Sequence, residues 1–511
     1  MKMLHWRRLA WTGPLWLAGC AQWPMQAPQP PVRPALAMPA PAAAPSWQAP
    51  LPATAGAADE RAEALRAWWL RLEDPLLTEL IQASQQASPT LSAAGQRIAQ
   101  ARFARAAAEA DTLPALGVEA QAARGRAEPA SPTGNRYTAA AQAAWEIDLF
   151  GAGRAATQAA QARLDGAVAA WHDARIAVAA ETAQTYVQLR ACEAQAGWAL
   201  RDSRSREETA RLTALSAQAG FRAPADAALA RGSAAQGRSQ AAQAQAQCDR
   251  LVKALVALTA RDEPALRQAL QPGHARLPEA APPPLPAVPG DLLRQRPDLA
   301  RAERELVAAA AEVDQRAAQR LPQVRLSGQV GLMRLEAGST GGDGPVWAVG
   351  PLAVSLPLFD GGRRGAAVTV ARAAYDDARR QYLAALRQGV REVEDALVRL
   401  DSAARRAQDV RQAALDLDAV LKATEARWQG GLASQFELED ARRNAYAAAS
   451  LYIDLQRERL EAAIALYRAL GGGWQPADTA PAPSRATPAQ RLSPPSSALQ
   501  PEPAPSFAAP R

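Results

Sequence analysis

The pattern of apolar and polar positions divides most of the chain into helix-like and strand-like segments, laid out in the same order twice. Residues 76–111 and 292–319 are rich in Ala, Gln, Glu and Arg and contain no glycine run, which predicts helices. Pro89 and Pro297 mark starts or kinks there, because proline lacks an amide N–H and clashes with the preceding turn. Residues 113–121, 137–150, 321–335 and 347–359 approach an alternation of period two and predict strands. In the last of these, Trp347, Val349, Pro351, Ala353, Ser355, Pro357 and Phe359 share one register, with Ala348, Leu352, Val354, Leu356 and Leu358 mainly in the other. Its two prolines argue against a central strand of an ordinary sheet. Turn-rich segments 125–135 and 338–345 separate the strands of each pair, which predicts one hairpin per copy.

A helical stretch far longer than a usual globular helix follows each hairpin. Residues 363–428 contain no proline, and about 65 residues at 1.5 Å each make a rod of roughly 97 Å. Leu386, Val390, Val393, Leu397 and Leu400 recur at steps of four and three, the stripe of a coiled coil. Leu164, Trp171, Val178 and Thr185 form a weaker version in the first copy. Many interfacial positions are alanine, whose shallow knobs favour a broad wall of rods over an isolated pair. The rods return as 225–260 and 434–470, after turns near 220–226 and 430–434.

The punctuation shows an internal duplication. Leu149-Phe150-Gly151-Ala152-Gly153-Arg154 recurs as Leu358-Phe359-Asp360-Gly361-Gly362-Arg363, and Pro89 and Pro114 match Pro297 and Pro322 in the same order. Alanine-rich helices imitate one another by chance, but the turns between them do not. Gly153, Arg154, Gly362 and Arg363 are therefore the candidate repeat-turn residues. Four strands per chain are too few for a closed barrel in lipid, so a membrane role requires strands from several chains.

The ends read differently. Lys2, Arg7 and Arg8 precede the apolar run 9–19, which is too short to span a bilayer but suits a secretory signal. It ends in Leu17-Ala18-Gly19-Cys20, the order of a lipoprotein cleavage site, with Cys20 as the acylated residue; the bland alternative is an ordinary signal followed by an incidental cysteine. The expected organisation is a signal peptide at 1–19, a Pro/Ala-rich tether at 20–61, a first repeat at 62–264, a Pro-rich connection at 265–291, a second repeat at 292–474 and a disordered tail at 475–511.

Composition excludes more than it selects. The formal charge of +7 falls to about +4 once the signal is removed, and mixed charges along the chain offer no nucleic-acid surface. His5, His172 and His274 make no cluster, and Cys192 and Cys248 have neither metal-ligand spacing nor a triad around them. No enzyme, cofactor or metal is expected. Cys192 and Cys248 either pair across two helices or remain buried thiols, while Glu392 and Glu394 read as a solvated helix face.

Trp68-Trp69, Asp74-Pro75, the segment 293–297 followed by Asp298-Leu299, the paired Leu-Phe-x-x-Gly-Arg turns and the closing Leu470-Gly471-Gly472-Gly473-Trp474 together resemble the TolC-like outer-membrane efflux factors, specifically their lipoprotein branch paired with resistance-nodulation-division pumps. The resemblance implies a mostly α fold with a membrane β-barrel: a homotrimer whose chains share a twelve-stranded barrel above a periplasmic helical tunnel. It implies anchoring in outer-membrane lipid, a periplasmic adaptor, an inner-membrane proton-driven transporter and small-molecule cargo. The family closes its tunnel at the helix turns. Here Ala433 stands where an aspartate is common and Gln435 where a tyrosine is, so Asp226, Gln435, Glu437, Glu439 and Asp440 are the candidate gate residues. The competing reading is a structural or adaptor coiled-coil lipoprotein that never enters the membrane; within the same fold, a polypeptide-secretion duct is another.

Overall fold

The computed structural model describes residues 47–50, 63–126, 133–279, 282–283, 295–337 and 341–478. The signal peptide, His5, Cys20, most of the tether and residues 479–511 of the tail lie outside the described residues.

Asp74 opens α1 (Pro75–Ala87) by accepting the Leu77 N–H at 3.1 Å. The predicted helix over 76–111 is in fact two. At Ser88 the backbone turns extended, and the Ser88 hydroxyl accepts the Leu91 N–H at 3.2 Å to start α2 (Pro89–Ala110). Pro89 has no N–H to continue the first ladder, so it begins a helix. There follow β1 (Ala115–Gly125), β2 (Gly134–Ile147), α3 (Ala152–Gln218), α4 (Pro224–Thr259) and a short α5 (Glu263–Leu270) that the sequence pattern did not separate. The second copy runs through α6 (Pro297–Ala318), β3 (Gln323–Glu336), β4 (Gly342–Ser355), α7 (Arg363–Gln429) and α8 (Gln435–Ala469). Both long helices, α3 and α7, contain 67 residues, as a duplication requires.

Two compact units result. One holds the sheet, in which every neighbour in the order β1-β2-β3-β4 is antiparallel. β4 ends at Ser355, short of the predicted 359, because Pro357 cannot donate to a ladder. Pro345 and Pro351 are tolerated inside it because β4 is the edge strand of the sheet within this chain. The β3–β4 register shifts between Leu326 and Gly328: Leu326 faces Leu352, whereas Gly328 faces Val349. β4 therefore carries an extra residue at Gly350–Pro351, a β-bulge.

The other unit is helical. Its core joins Trp68, Trp69, Leu77, Tyr186, Leu255, Leu397 and Tyr467, with the Trp68 and Tyr467 rings stacked at 5.4 Å. Two sequence readings change here. Trp47 and Ala49, expected in a free tether, are buried in this core. Glu394 is no solvated carboxylate, because it accepts the Gln48 and Ala49 N–H groups at 2.8 and 2.9 Å, and Glu392 binds the buried Arg296 at 2.8 Å. His172 is buried between Trp171 and Trp474. At the tail's start, Asp478 pairs with Arg66 at 2.9 Å. Cys192 and Cys248 form a disulfide between α3 and α4.

Candidate conduit surfaces and helix turns

Residues directly opposed in an antiparallel ladder point to the same side. The pairings Ala143–Leu116, Ala141–Val118, Val330–Ala141, Leu326–Trp145, Val330–Trp347 and Val324–Val354 thus trace one face across four strands. It carries Leu116 and Val118, then Trp145 and Ile147, then Val324, Leu326, Val330 and Leu332, then Trp347, Val349, Leu352 and Val354. Val118 is 84% exposed and Val349 85%, so this apolar surface has no cover within the chain. The opposite face is mostly polar, with Glu119, Gln121, Thr138, Gln142, Glu146, Arg325 and Gln329. Gln142 donates to Glu119 at 2.8 Å there. The bulge overturns the single register read for 347–359. Before it the apolar side chains are the odd-numbered Trp347 and Val349; after it they are the even-numbered Leu352 and Val354. Among the described residues, no helix is long and apolar enough to cross a membrane.

The repeat turns connect this sheet to the long helices. A side chain at Gly153 would bring its Cβ to 2.9 Å from Thr112, and the Arg154 N–H donates to Asp148 at 2.9 Å. In the second copy Gly362 has φ +87° and donates to Asp360. Asp360 also accepts the Arg364 N–H, which holds its carboxyl below the usual range. Arg364, next to the aligned Arg363, reaches the Gln319 carbonyl at 3.0 Å. Both helix starts are thus held by an aspartate, Asp148 just before the hexapeptide in one copy and Asp360 within it in the other. Motif alignment did not show this.

At the helix turns the candidate gate residues separate into three environments. Asp226 is half-buried in the first turn of α4. Glu437 closes a capping box with Ser434: its carboxylate accepts the Ser434 N–H at 2.6 Å, while the Ser434 hydroxyl accepts the Glu437 N–H at 3.1 Å. That backbone bond holds Glu437 below the usual carboxylate pKa. Asp440 is exposed and pairs with Arg443 one turn on. Glu439 and Gln435 point inward instead and bond to each other at 3.1 Å.

Glu439 centres a network that the sequence did not reveal. Its carboxylate takes Arg206 at 3.0 Å, Ser233 at 2.8 Å and Arg442 at 3.2 Å, joining α3, α4 and α8. Arg442, only 4% exposed, donates onward to the Ser205 and Thr209 hydroxyls of α3 at 2.6 and 2.8 Å. Ser205 donates to Glu425 of α7 at 3.0 Å. Burial pushes the Arg442 pKa down, with Glu439 opposing. Serine, threonine and arginine scattered along separate helices leave no spacing by which such a cluster is found. Phe221, Leu432 and Phe436 are exposed at the turns.

A protein-family model described as "Outer membrane efflux protein" matches residues 80–261 and 288–472. The chain is similar to outer membrane protein OprJ of Pseudomonas aeruginosa, at 29% identity over 85% of this chain and 91% of that protein. It is also similar to the antibiotic efflux pump outer membrane protein ArpC of Pseudomonas putida, at 29% identity over 90% and 93%. The solved structure of the outer-membrane channel OprN superposes with a TM-score of 0.76 at 28% identity, covering 84% of this chain and 97% of that one. These matches correct the narrower resemblance to a lipoprotein branch. The likeness is to outer-membrane efflux channels at large, and the family model that shows it spans residues 80–261 and 288–472, with Cys20 outside it.

Proposed function

The chain belongs to the outer membrane efflux protein family, and from that premise we propose how this conduit is loaded, driven and closed. It is the outer-membrane channel of a tripartite efflux pump exporting small molecules, and a non-catalytic conduit. Three copies close a twelve-stranded barrel, and the chain has a periplasmic helical body. Such channels join a periplasmic adaptor and an inner-membrane transporter.

The observation that carries this function is the apolar face that runs across β1 to β4, set against a polar one. An amphipathic sheet whose apolar face is left uncovered by its own chain fits lipid on that side and a lumen on the other. A spacer or adaptor in water gains nothing from leaving Val118, Trp347 and Val349 uncovered. We further read the cargo as small organic toxicants, supported by the likeness to an antibiotic efflux protein, and the partner transporter as proton-driven. Acylation at Cys20 rests on the terminal motif alone; continued incorporation of labelled fatty acid by Cys20→Ser would remove it.

The closed end is assigned to the turns at 219–223 and 430–434, where trimer symmetry repeats each carboxylate three times. Asp226, Glu437 and Asp440 supply charge there, while Glu439 and Gln435 tie the helices behind them. Such rings attract cations and repel anions.

The test uses cells in which this chain is the sole outer-membrane efflux channel. Its deletion is expected to raise retention of a fluorescent apolar dye several-fold, and the parent chain to restore export. Val349→Arg, which places a charge on the lipid face at a cost of about 2–4 kcal/mol at the midplane, is expected not to restore it. Unchanged retention on deletion, or full rescue by Val349→Arg, would sink the channel reading.

A further inference from the structure

The Cys192–Cys248 disulfide ties α3 to α4 about seven helical turns from the 219–223 turn, across a separation of 56 positions. Counted from the turns, the matching positions of the second copy are Ala403 and Arg459, so that hairpin has no covalent tie. The difference follows from what each returning helix buries. On α4 the buried positions are Ala227, Ala230, Ala234 and Gly237, then nothing until Cys248, Val252 and Leu255. On α8 they include Leu438, Ile453, Leu455, Leu460, Ile464, Leu466 and Tyr467. Near the turn both returning helices bury alanines, at 227, 230 and 234 on α4 and at 441, 445, 448 and 449 on α8, but before the level of the disulfide α8 adds Leu438, Ile453 and Leu455, whereas α4 has no large apolar side chain there. Apolar area scales with side-chain size, so the first is the weaker hairpin until it is cross-linked.

We propose that this channel depends on an early oxidation step: a periplasmic dithiol–disulfide oxidant closes Cys192–Cys248 before α3 and α4 pack, and trimer assembly follows. The inference goes beyond the channel assignment and uses only its exported location, where disulfides persist. In the chemistry, one cysteine thiolate attacks the oxidant's disulfide, releases one oxidant thiolate and forms a mixed disulfide. The second cysteine thiolate then displaces the other oxidant sulfur. The chain loses two electrons and two protons, and the oxidant leaves as a dithiol. Both attacks need a sulfur open to a protein-sized partner. In the folded chain Cys192 is 7% and Cys248 5% exposed, and both lie in the core cluster with Leu189, Val252 and Leu255. Packing therefore closes the reaction's access, which sets the order.

The order is read by pulse-labelling the full-length chain in cells, quenching with acid, alkylating free thiols and mapping the two cysteine peptides by mass, with trimers separated from monomers. Cys192 and Cys248 are expected to be oxidised already in the monomer pool and in all trimers. A membrane-permeant reductant present during synthesis should lower trimer yield several-fold. The same reductant added after assembly should leave trimers and disulfide intact. The Cys192→Ala/Cys248→Ala chain should give fewer trimers than the parent, with a yield that reductant does not change. Trimers carrying both free thiols, or a double variant assembling at the parental yield, would overturn the proposal. Thiol mapping is independent of transport, so its failure leaves the channel assignment standing.

Discussion

Single side chains at the helix turns divide into those that hold the backbone and those that hold helices to one another. Ser434 and Glu437 are of the first kind. Ser434→Ala is expected to cost about 1 kcal/mol, the usual loss on removing an N-cap hydroxyl. The Glu437 contribution should follow pH. Because the folded carboxyl titrates below its unfolded value, its stabilisation is complete above the ordinary carboxylate pKa and disappears as pH falls through the depressed folded one. The melting-temperature gap between the parent and Glu437→Ala should therefore narrow as a neutral solution is made strongly acid; a gap that widens would refute the assignment. Glu439 is of the second kind. Glu439→Ala removes the nearer carboxylate from the buried Arg442, which keeps Glu425 at 3.7 Å, and should cost less than the roughly 3–5 kcal/mol of a buried pair broken outright. Adding Arg442→Met should recover part of that loss. If the double variant melts below the single, the network is not organised around this pair. The residue list from the sequence contained Glu437 and Glu439 without separating them, since both are acidic residues a few positions beyond one glycine. Only the direction each side chain takes distinguishes a cap from a buried ion pair.

At the scale of elements, the sheet is where pattern reading succeeded in kind and failed in detail. Four strands in two hairpins were legible from period-two segments and their turns. The face of β4 was not, because one extra residue at Gly350–Pro351 reverses parity, so the single register read through 347–359 joins two opposite faces. Single cysteines along β4 make this testable. Positions 347 and 349 should react with a lipid-soluble reagent, as should 352 and 354, whereas 348 and 353 should react with a water-soluble one. Unbroken odd–even alternation through 350–351 would place the bulge elsewhere. The helices carry the same lesson. Pro89 announced a break in the first helical segment, but whether it was a kink or a start depended on Ser88 turning extended to cap the next helix.

For the whole molecule, the chain leaves β1 and β4 as open edges, and the family's twelve-stranded barrel closes them with neighbouring copies. A proline at Val118 removes one ladder donor from the β1 strand. Val118→Pro should lower the yield of heat-resistant trimers several-fold while the purified monomer keeps the parent's helical circular dichroism, most of which comes from α1 to α8. Parental trimer yield would mean that β1 does not meet a neighbour. Termini are also part of this scale. The sequence consigned everything before residue 62 and after 474 to unpacked ends, yet Trp47 enters the core and Asp478 pairs with Arg66. Isolated residues inside Pro- and Ala-rich sequence carry no periodicity, so nothing local marks them as anchors.

The sequence by itself determined the repeated order of helix, hairpin and long helix, the turns that separate them and the absence of catalytic chemistry. These depend on local periodicity and on proline and glycine, whose effects act within a few residues. Tertiary structure decided the common apolar face, the pairing of Cys192 with Cys248, the burial of Glu439 and Arg442, and the work done by Glu392 and Glu394. Each of these joins residues on separate elements, from 17 positions apart for Val330 and Trp347 to several hundred, and which side chains meet depends on how the elements register against one another, which no local pattern encodes.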